Sequence, residues 1–299
     1  MPEYAFRVLD VFTDQAFGGN PLAVFPDARG LEPKAMQAIA REFNFSETTF
    51  VFPPETETGT AKVRIFTPTL EIPFAGHPTI GTAIALAMQG EAFGMATGPQ
   101  ITLEEGVGPI PCAMSQSGDL WQAELQTDTD LECFGPLAPE LAAAMLGLSP
   151  QQIETALHEP QFASKGLAFA LVELTDTKAL EACKPVTAAF ETAADRHSLP
   201  GGVMCLAAFV RDGADKLDLR VFAPLENIPE DPATGSAAAA LAAYHCQILD
   251  APVHYAISQG VTMGRPSQIQ VRAESPSPGA SRVWVSGSAV SVMDGVLKL

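Results

Sequence analysis

Short runs in which apolar and polar residues alternate recur along most of the chain. Alternation with a period of two is typical of strands that bury one face. In the first half, alternating runs and short continuous apolar runs predict strands at 5–12, 22–25, 49–52, 62–66, 101–104 and 110–115. In the second half, the same two patterns predict strands at 120–125, 168–174, 204–210, 216–222, near 257, and at 269–271, 283–285 and 289–299. Strands therefore dominate the expected secondary structure.

Helices are expected in fewer places. A first helix is predicted at 33–43, where Pro33 suits the first turn, and shorter ones at 139–146, 177–183 and 187–196. Two longer Ala- and Leu-rich segments, one running to about Met88 and one at 237–246, are apolar on most faces. Such helices are normally buried on all sides, so we expect each to be enclosed by its own sheet. A Pro- and Gly-rich loop is expected at 274–280.

One short pattern occurs twice, about half a chain apart. HPTIGTA at 77–83 corresponds to DPATGSA at 231–237, 154 positions later. Each copy follows a stretch that begins with Phe and contains Glu, Ile and Pro, and each leads into one of the Ala-rich helices. This indicates two related half-chains with a site between them, led by His77 on one side and Asp231 on the other.

The length of the chain agrees with two lobes. A chain of 299 residues exceeds the usual size of one hydrophobic core. We predict an N-terminal lobe at 1–118, to which the tail strand at 288–299 returns after a Gly- and Ser-containing break. The C-terminal lobe is predicted at 119–287.

Composition excludes several classes of function. The net charge of −18 argues against nucleic acid, which is bound largely through basic side chains. The chain contains no apolar run of about 20 residues that could span a bilayer and no signal-peptide pattern at its N-terminus. Its five cysteines have irregular spacing and predict buried, reduced thiols, and its five histidines are isolated, so we expect no metal site. We expect a soluble, cytoplasmic protein.

The two motif copies are candidate anion sites. Unpaired N–H groups at a helix start attract a carboxylate, and glycine allows close approach. Gly81 with Thr82, and Gly235 with Ser236, would offer such N–H groups and a hydroxyl. Asp231 followed by proline is also a good helix cap, so its sequence context alone favours capping over catalysis. His77 does not fit that interpretation, because histidine is a poor cap.

Two further places carry candidate chemistry. Glu47 lies between the first helix and an apolar strand, near Phe43, Phe45 and Phe50. Apolar surroundings would raise its pKa towards the range useful for proton transfer, although a solvated loop carboxylate or a cap is also compatible with the sequence. The loop before Asn20 lacks a nucleotide-binding pattern and predicts a tight turn in which Asn20 orients the backbone.

Several of these motifs together resemble the PhzF-like family of phenazine-biosynthesis proteins. The similar stretches are DVFT at 10–13, FGGNPLAV at 17–24, FSET at 45–48, AGHPTIG at 75–81, DPATGS at 231–236, and QG with MGRPS at 259–267. The similarity spans the whole chain.

The resemblance implies the diaminopimelate-epimerase-like fold, an α+β fold. It has two pseudo-symmetric lobes, each a curved, mostly antiparallel sheet around a central helix, with the site in the cleft. It also implies homodimers and proton transfer without a cofactor. Glu47 would carry the proton, His77 and Asp231 would orient substrate and Glu47, and Gly235 with Ser236 would hold a carboxylate.

The remaining substrate-binding candidates are Asn20, Ser46, Gly76, Gly81 and Thr82. Epimerases of this fold use a pair of cysteines, and neither motif copy contains one. We therefore predict an isomerase that acts on a small carboxylic acid. The alternatives are a small-acid binding or regulatory protein without turnover, and an epimerase or lyase that uses His77 with Glu47 or Asp231.

Overall fold

The computed structural model describes residues 1–275 and 281–299. They form two compact units: Met1–Thr127 with Val285–Leu299, and Asp128–Trp284. We call them unit 1 and unit 2. Most of the loop predicted at 274–280 lies outside the described residues.

Unit 1 contains ten strands, two helices and part of a final strand. The strands are β1 (Glu3–Val11), β2 (Asn20–Phe25), β3 (Glu47–Phe52), β4 (Ala61–Phe66), β5 (Glu71–Ile72), β6 (Glu91–Ala92), β7 (Met95–Ala96), β8 (Gln100–Glu105), β9 (Gly108–Ser117) and β10 (Leu120–Thr127). The helices are α1 (Pro33–Phe43) and α2 (Gly76–Gln89). The unit extends to Thr127 rather than to 118 because β10 forms an antiparallel hairpin with β9.

Unit 2 contains eight further strands and its own helices. The strands are β11 (Glu132–Pro136), β12 (Gln161–Ser164), β13 (Ala168–Glu173), β14 (Cys205–Arg211), β15 (Lys216–Ala223), β16 (Ile228–Asp231), β17 (Val253–Gln259) and β18 (Ser267–Glu274). The helices are α3 (Pro139–Leu146), α4 (Thr177–Ala182), α5 (Thr187–Arg196) and α6 (Gly235–Leu249). The final strand, β19 (Arg282–Lys298), begins in unit 2 and continues into unit 1.

Seven strands of unit 1, together with β19, close into a ring, while β6 and β7 form a separate two-stranded sheet. Antiparallel pairs join β1 to β2, β3 to β4, β8 to β9 and β9 to β10, while β2 with β3 and β4 with β8 are parallel. The last strand, β19, pairs with both β1 and β10 and completes the ring. Both parallel pairs require a crossover of the chain, which α1 supplies between β2 and β3.

Helix α2 packs against strands β1, β2, β3, β8, β9 and β10 of this ring, and its residues 76–87 are all buried. Helix α1 covers a different surface, where Phe25, Met36, Phe50 and Phe66 form a core with stacked and edge-on rings. Its amphipathic pattern explains why only one side of α1 is buried.

Unit 2 has an analogous set of pairings. Strands β11, β12 and β13 are joined by antiparallel pairs, β13 and β14 are parallel, and β15 pairs with β14, β16 and β17. Helix α6 packs against β12, β13, β17 and β18. Helices α3, α4 and α5 lie over a separate core that includes Leu146, Phe162, Phe190 and Phe222.

Two simpler expectations can be compared with the described residues. None of the helices in the described parts of the chain is long and apolar enough to cross a bilayer. All five cysteines are free thiols, but only four are buried, because Cys133 lies on the exposed strand β11. The expectation of a buried thiol is therefore wrong at Cys133.

Candidate active site

Glu47 is the first residue of β3, close behind the end of α1. The helix ends at Phe43, and Asn44 adopts a left-handed conformation with φ of 53° that turns the chain towards the strand. Alternation along β3 puts Glu47 and Thr49 on the same face, and Thr49 contacts Thr82 of α2. Phe50 points to the other face and stacks on Phe25 under α1. Phe50 therefore does not form the apolar surroundings that the sequence predicted for Glu47.

His77 lies in the first turn of α2, whose first intrahelical hydrogen bond runs from the Thr79 N–H to the Ala75 carbonyl. Its Nδ1 is 3.5 Å from Oε2 of Glu47, and the two side chains are only 6% and 15% exposed. Burial lowers the pKa of His77 to about 3, so the imidazole is neutral at physiological pH. The structure thus brings together a carboxyl group and a neutral imidazole.

The other nitrogen of His77, Nε2, is buried and has no hydrogen-bond partner among residues 1–275 and 281–299. Buried polar atoms normally have a partner, and unpartnered ones often mark a place for a ligand or water. A neutral imidazole that turns its Nδ1–H towards Glu47 leaves Nε2 as an acceptor. His77 is therefore a candidate to contact a hydrogen-bond donor on a bound molecule.

Gly81 and Thr82 are in different surroundings from those expected. Helix α2 begins at Gly76, so both residues lie inside the helix rather than at its start. A Cβ atom on Gly81 would come within 2.7 Å of the side chains of Leu22 and Val11, which identifies it as a close-packing position. The Thr82 hydroxyl is buried 2.8 Å from the Thr49 hydroxyl. We therefore revise both as core residues, and Gly76 takes the helix-start position.

The loop before β2 is the predicted tight turn. Gly19 has φ of +59°, and a Cβ atom there would be 2.2 Å from the Val11 carbonyl, so only glycine fits. Asn20 follows as the first residue of β2, fully buried and opposite Val11 of β1. Ser46 is half-buried and directly precedes Glu47.

Asp231 is the last residue of β16 and lies before the start of α6. The helix begins at Gly235, as the motif predicts, and its N-cap is Thr234 rather than Asp231. The Thr234 hydroxyl donates to Oδ2 of Asp231. Gly235 is buried and Ser236 half-buried, and their N–H groups precede the first helical bond, from Ala238 to Thr234. The two motif copies therefore differ, because His77 is inside its helix and Asp231 is outside.

Gln259 is a positioning residue that sequence reasoning missed. Its amide Nε2 donates to the Asp231 carbonyl at 2.8 Å and to the Thr234 hydroxyl at 2.9 Å, while its Oε1 accepts from the Thr234 N–H at 2.9 Å. The side chain is 1% exposed. Ser267 supports the same segment by donating to the Pro232 carbonyl at 2.8 Å. In the sequence, Gln259 is notable only as part of a stretch that resembles the PhzF-like family.

No group of three His, Cys, Asp or Glu side chains in the described residues is arranged to hold a metal ion. The candidate titratable groups are Glu47 and His77 in unit 1 and, taken by itself, Asp231 in unit 2. Carboxyl and imidazole groups of this kind are the usual acids, bases and orienting groups of proton transfer.

Comparison with known proteins identifies the family. The family model described as "Phenazine biosynthesis-like protein" matches residues 9–295. The chain is 38% identical to a protein of Mesorhizobium japonicum that is named as an uncharacterized isomerase, over 98% of each chain. It is 36% identical to the trans-2,3-dihydro-3-hydroxyanthranilate isomerase of Pseudomonas aeruginosa, again over 98% of each. The chain therefore belongs to the PhzF-like phenazine-biosynthesis family.

A solved structure supports the same fold. The Bacillus anthracis phenazine biosynthesis protein of the PhzF family superposes with a TM-score of 0.86 over the full length of both chains, at 23% identity. With relatives named as isomerases, these likenesses place the chain among the isomerases of its family, which act on small molecules.

Proposed function

We propose that this protein is an isomerase that moves a proton within a small, carboxylate-bearing molecule without a cofactor. Glu47 carries the proton. The observation that supports this most directly is the contact between Glu47 and His77, 3.5 Å apart and mostly buried. A carboxyl group held near an uncharged imidazole is suited to take up a proton and return it, because the neutral His77 adds no positive charge that would favour the ionised carboxylate.

The proposed reaction needs only one carboxyl group. The Glu47 carboxylate removes a proton from a carbon next to a double bond, and the electron pair of that C–H bond moves into the conjugated system. Glu47 then returns the proton to the far carbon of the same system, on the same face. Substrate and product have the same atoms, and the enzyme ends in its starting state.

The other motif residues have binding roles in this proposal. The N–H groups at Gly235 and Ser236 hold the substrate carboxylate, because a helix start carries unpaired donors and a partial positive charge. Asp231 orients a polar group of the substrate. Asn20, Ser46 and Gly76 shape the surroundings of Glu47. The cleft between two pseudo-symmetric lobes, each wrapped around its helix, stays a prediction from the sequence and the family.

The substrate class follows from the named relative. We propose a cyclic, conjugated carboxylic acid similar to trans-2,3-dihydro-3-hydroxyanthranilate, on which the Pseudomonas aeruginosa relative acts by its name. We also propose that the protein works in the cytoplasm as a homodimer, as the resemblance implies.

The test is Glu47→Gln in deuterated buffer, with proton NMR to follow trans-2,3-dihydro-3-hydroxyanthranilate and a panel of cyclic and amino carboxylic acids. The wild type should incorporate deuterium into one substrate. Glu47→Gln should lose about 10²–10⁴-fold in rate while still binding the acid, since an amide cannot accept the proton. The matched control is Glu42→Gln, an exposed position on α1, which should behave as wild type.

Turnover of Glu47→Gln at the wild-type rate would rule out Glu47 as the proton carrier. A wild type that binds an acid from the panel, but neither isomerises it nor exchanges a carbon-bound proton, would indicate a binding protein instead.

A further inference from the structure

The repeat extends beyond the two motif copies. Glu105 and Gly106 stand 154 positions before Gln259 and Gly260, the same spacing that separates His77 from Asp231. Glu105 is the last residue of β8, and Gln259 is the last residue of β17. Each pair is therefore a strand end followed by glycine.

The two glycines have the same kind of contact. A Cβ atom on Gly106 would come within 2.8 Å of Pro73, in the segment that leads to α2. A Cβ atom on Gly260 would come within 2.6 Å of the Pro232 carbonyl, in the segment that leads to α6. In both units the strand end therefore packs directly against the chain that enters the motif helix.

The side chains at the strand ends also contact the starts of the motif helices, through threonines that are offset by one position in the repeat. Gln259 bonds to Thr234 at the start of α6. Glu105 is 8% exposed, and its Oε1 lies 2.7 Å from the Thr79 hydroxyl in the first turn of α2. A neutral amide in one unit thus corresponds to a carboxyl group in the other.

Hydrogen counting at Thr79 shows that only one of the two contacts of its hydroxyl oxygen can use the hydroxyl's own proton. The Thr79 hydroxyl oxygen is 2.7 Å from the Ala75 carbonyl and 2.7 Å from Oε1 of Glu105. A hydroxyl has one proton, and a carbonyl can only accept. If Thr79 donates to Ala75, the contact with Glu105 is a hydrogen bond only when Glu105 carries the proton and donates it to Thr79.

The rest of the environment also disfavours an ionised Glu105. Its Oε2 is buried and has no hydrogen-bond partner among the described residues, which would be costly for a carboxylate. Burial raises the pKa of Glu105 to about 8, although the contact with Thr79 acts in the opposite direction.

Among the described residues, the charged and titratable groups near Glu105 supply no free positive charge. Cys112 of β9 interacts with Glu105 electrostatically, and burial raises the pKa of its thiol, so it stays uncharged. His77 on α2 is neutral. The cations that line the same cavity as Glu105 are already bound to other carboxylates, Lys62 to Glu55 and Arg64 to Glu71, both at 2.6 Å. The remaining charged group there is Glu104, which would repel a second negative charge.

We propose that Glu105 is held as a neutral carboxylic acid and acts as the unit 1 counterpart of Gln259. In this form it donates to Thr79, fixes the first turn of α2 and so positions His77 against Glu47. Glu105 is a positioning residue in this proposal. Its protonation state is independent of any activity, whereas its effect on His77 rests on the function proposed above.

The first test is the pH dependence of unfolding by urea, in the full chain. The native protein keeps a proton on Glu105 that the unfolded chain releases above its ordinary pKa of 4.5. The unfolding constant of the wild type should therefore rise, relative to that of Glu105→Gln, by about tenfold per pH unit between pH 5 and 8, and not further above pH 8. Parallel curves for the two proteins would overturn the proposal.

The matched control is Glu104→Gln, at the residue that directly precedes Glu105 in β8. Partial burial disfavours its charge, but hydrogen bonds from Thr56 and from the Glu55 N–H outweigh this and lower the pKa of Glu104. Removing this carboxylate should change the curve only on the acid side. If Glu105→Gln does not fold, infrared spectra of the wild type test the protonation state of Glu105. The band of a protonated carboxyl group should persist at pH 7 and fade above pH 8. Absence of this band at pH 7 would contradict the proposal.

The second test separates this inference from the proposed function. If deuterium exchange is found, Glu105→Ala should lower kcat with little change in KM. Glu105→Gln should recover most of kcat. It should also lack the fall in kcat that the wild type shows as the pH rises through about 8. If no acid is turned over but the unfolding curves differ as described, the proposed function fails and the neutral Glu105 stands. If turnover is found and Glu105→Ala leaves kcat unchanged, the positioning of His77 is wrong.

Discussion

The buried hydroxyl pair between β3 and α2 allows a quantitative test of the site's architecture. The hydroxyls of Thr49 and Thr82 are 2.8 Å apart, and both side chains are fully buried. Valine has nearly the same shape as threonine, so Thr49→Val and Thr82→Val each remove one partner and leave the other. An unsatisfied buried hydroxyl costs about 1–3 kcal/mol, whereas replacing both partners with apolar groups of the same shape is nearly neutral.

The two single changes should not be equivalent. After Thr49→Val, the Thr82 hydroxyl can turn to a carbonyl one turn earlier in α2, as threonines in helices often do. Thr49 is in a strand and has no such alternative, so Thr82→Val should cost more. The double variant Thr49→Val with Thr82→Val should lose less stability than the two single losses added together. The difference, which is the coupling energy of the two hydroxyls, should be about 1–3 kcal/mol.

Urea unfolding followed by tryptophan fluorescence measures these losses. The chain has two tryptophans, Trp121 in unit 1 and Trp284 in unit 2, so a Trp284→Phe background makes the signal specific to unit 1. With a slope of about 2 kcal/mol per molar urea, a loss of about 2 kcal/mol lowers the midpoint by about 1 M. Thr48→Val is the matched control, because the buried Thr48 hydroxyl has no hydrogen-bond partner in the described residues and its removal should not destabilise.

Additive losses in the double variant would refute the coupling of the two hydroxyls. The same proteins also test the revised assignment of Thr82. A folded Thr82→Val variant that binds an acid as well as the wild type agrees with a core role. A folded variant that has lost binding would restore Thr82 as a ligand donor.

Two further substitutions test how unit 2 holds Asp231. Gly260→Ala should cost about 2–5 kcal/mol of stability, because φ is +72° and the new Cβ would lie 2.4 and 2.6 Å from two backbone carbonyl oxygens. Gly264→Ala is the control, since Gly264 has the same φ but open space around it, and should cost about 1–2 kcal/mol. Urea unfolding followed by Trp284 fluorescence measures both. Arg220→Lys should cost about 1–3 kcal/mol of stability, because lysine cannot reproduce the two hydrogen bonds, each 2.8 Å long, by which Arg220 holds Glu230 of β16. Equal urea midpoints for Arg220→Lys and the wild type would show that this contact contributes nothing.

Periodicity predicted much of the secondary structure. The helices expected at 33–43 and 139–146 are α1 (Pro33–Phe43) and α3 (Pro139–Leu146), and both have proline in the first turn, where its fixed φ favours helix. The strand expected at 62–66 is β4 (Ala61–Phe66). These elements follow from local preferences, which a single sequence contains.

The starts of the two motif helices could not be predicted in the same way. The two copies have matching letters, and the sequence therefore indicated matching helix starts. In the structure α2 begins at Gly76, whereas α6 begins at Gly235. The difference depends on a partner distant in the chain. The Gln259 side chain accepts a hydrogen bond from the Thr234 N–H, whereas the Thr79 N–H bonds within its own helix start, to Ala75.

The candidate site depended on tertiary contacts in a similar way. Spacing alone could not bring Glu47 to His77, because their contact requires β3 to pair with β2 beside α2. Glu47 was identified through the family resemblance, since its sequence context alone equally fits a solvated loop. Gln259 and Glu105 could have been found from the sequence, by extending the 154-residue repeat to the strand ends.

The different helix starts also explain why an acid at 105 corresponds to an amide at 259. Around Thr234, the Thr234 N–H needs an acceptor, and the Asp231 carbonyl and the Thr234 hydroxyl oxygen each need a donor. The amide of Gln259 supplies all three. Around Thr79 the helix has already bound the N–H, so a single donor is needed, and a neutral carboxylic acid has one. Glutamine at 105 would leave one buried N–H without an acceptor, at a cost of about 1–3 kcal/mol. Glu105→Gln should therefore be less stable than the wild type near pH 5. The wild type loses about 4 kcal/mol relative to this variant between pH 5 and 8, which exceeds the cost of the unsatisfied N–H, so the two unfolding curves should cross below pH 8.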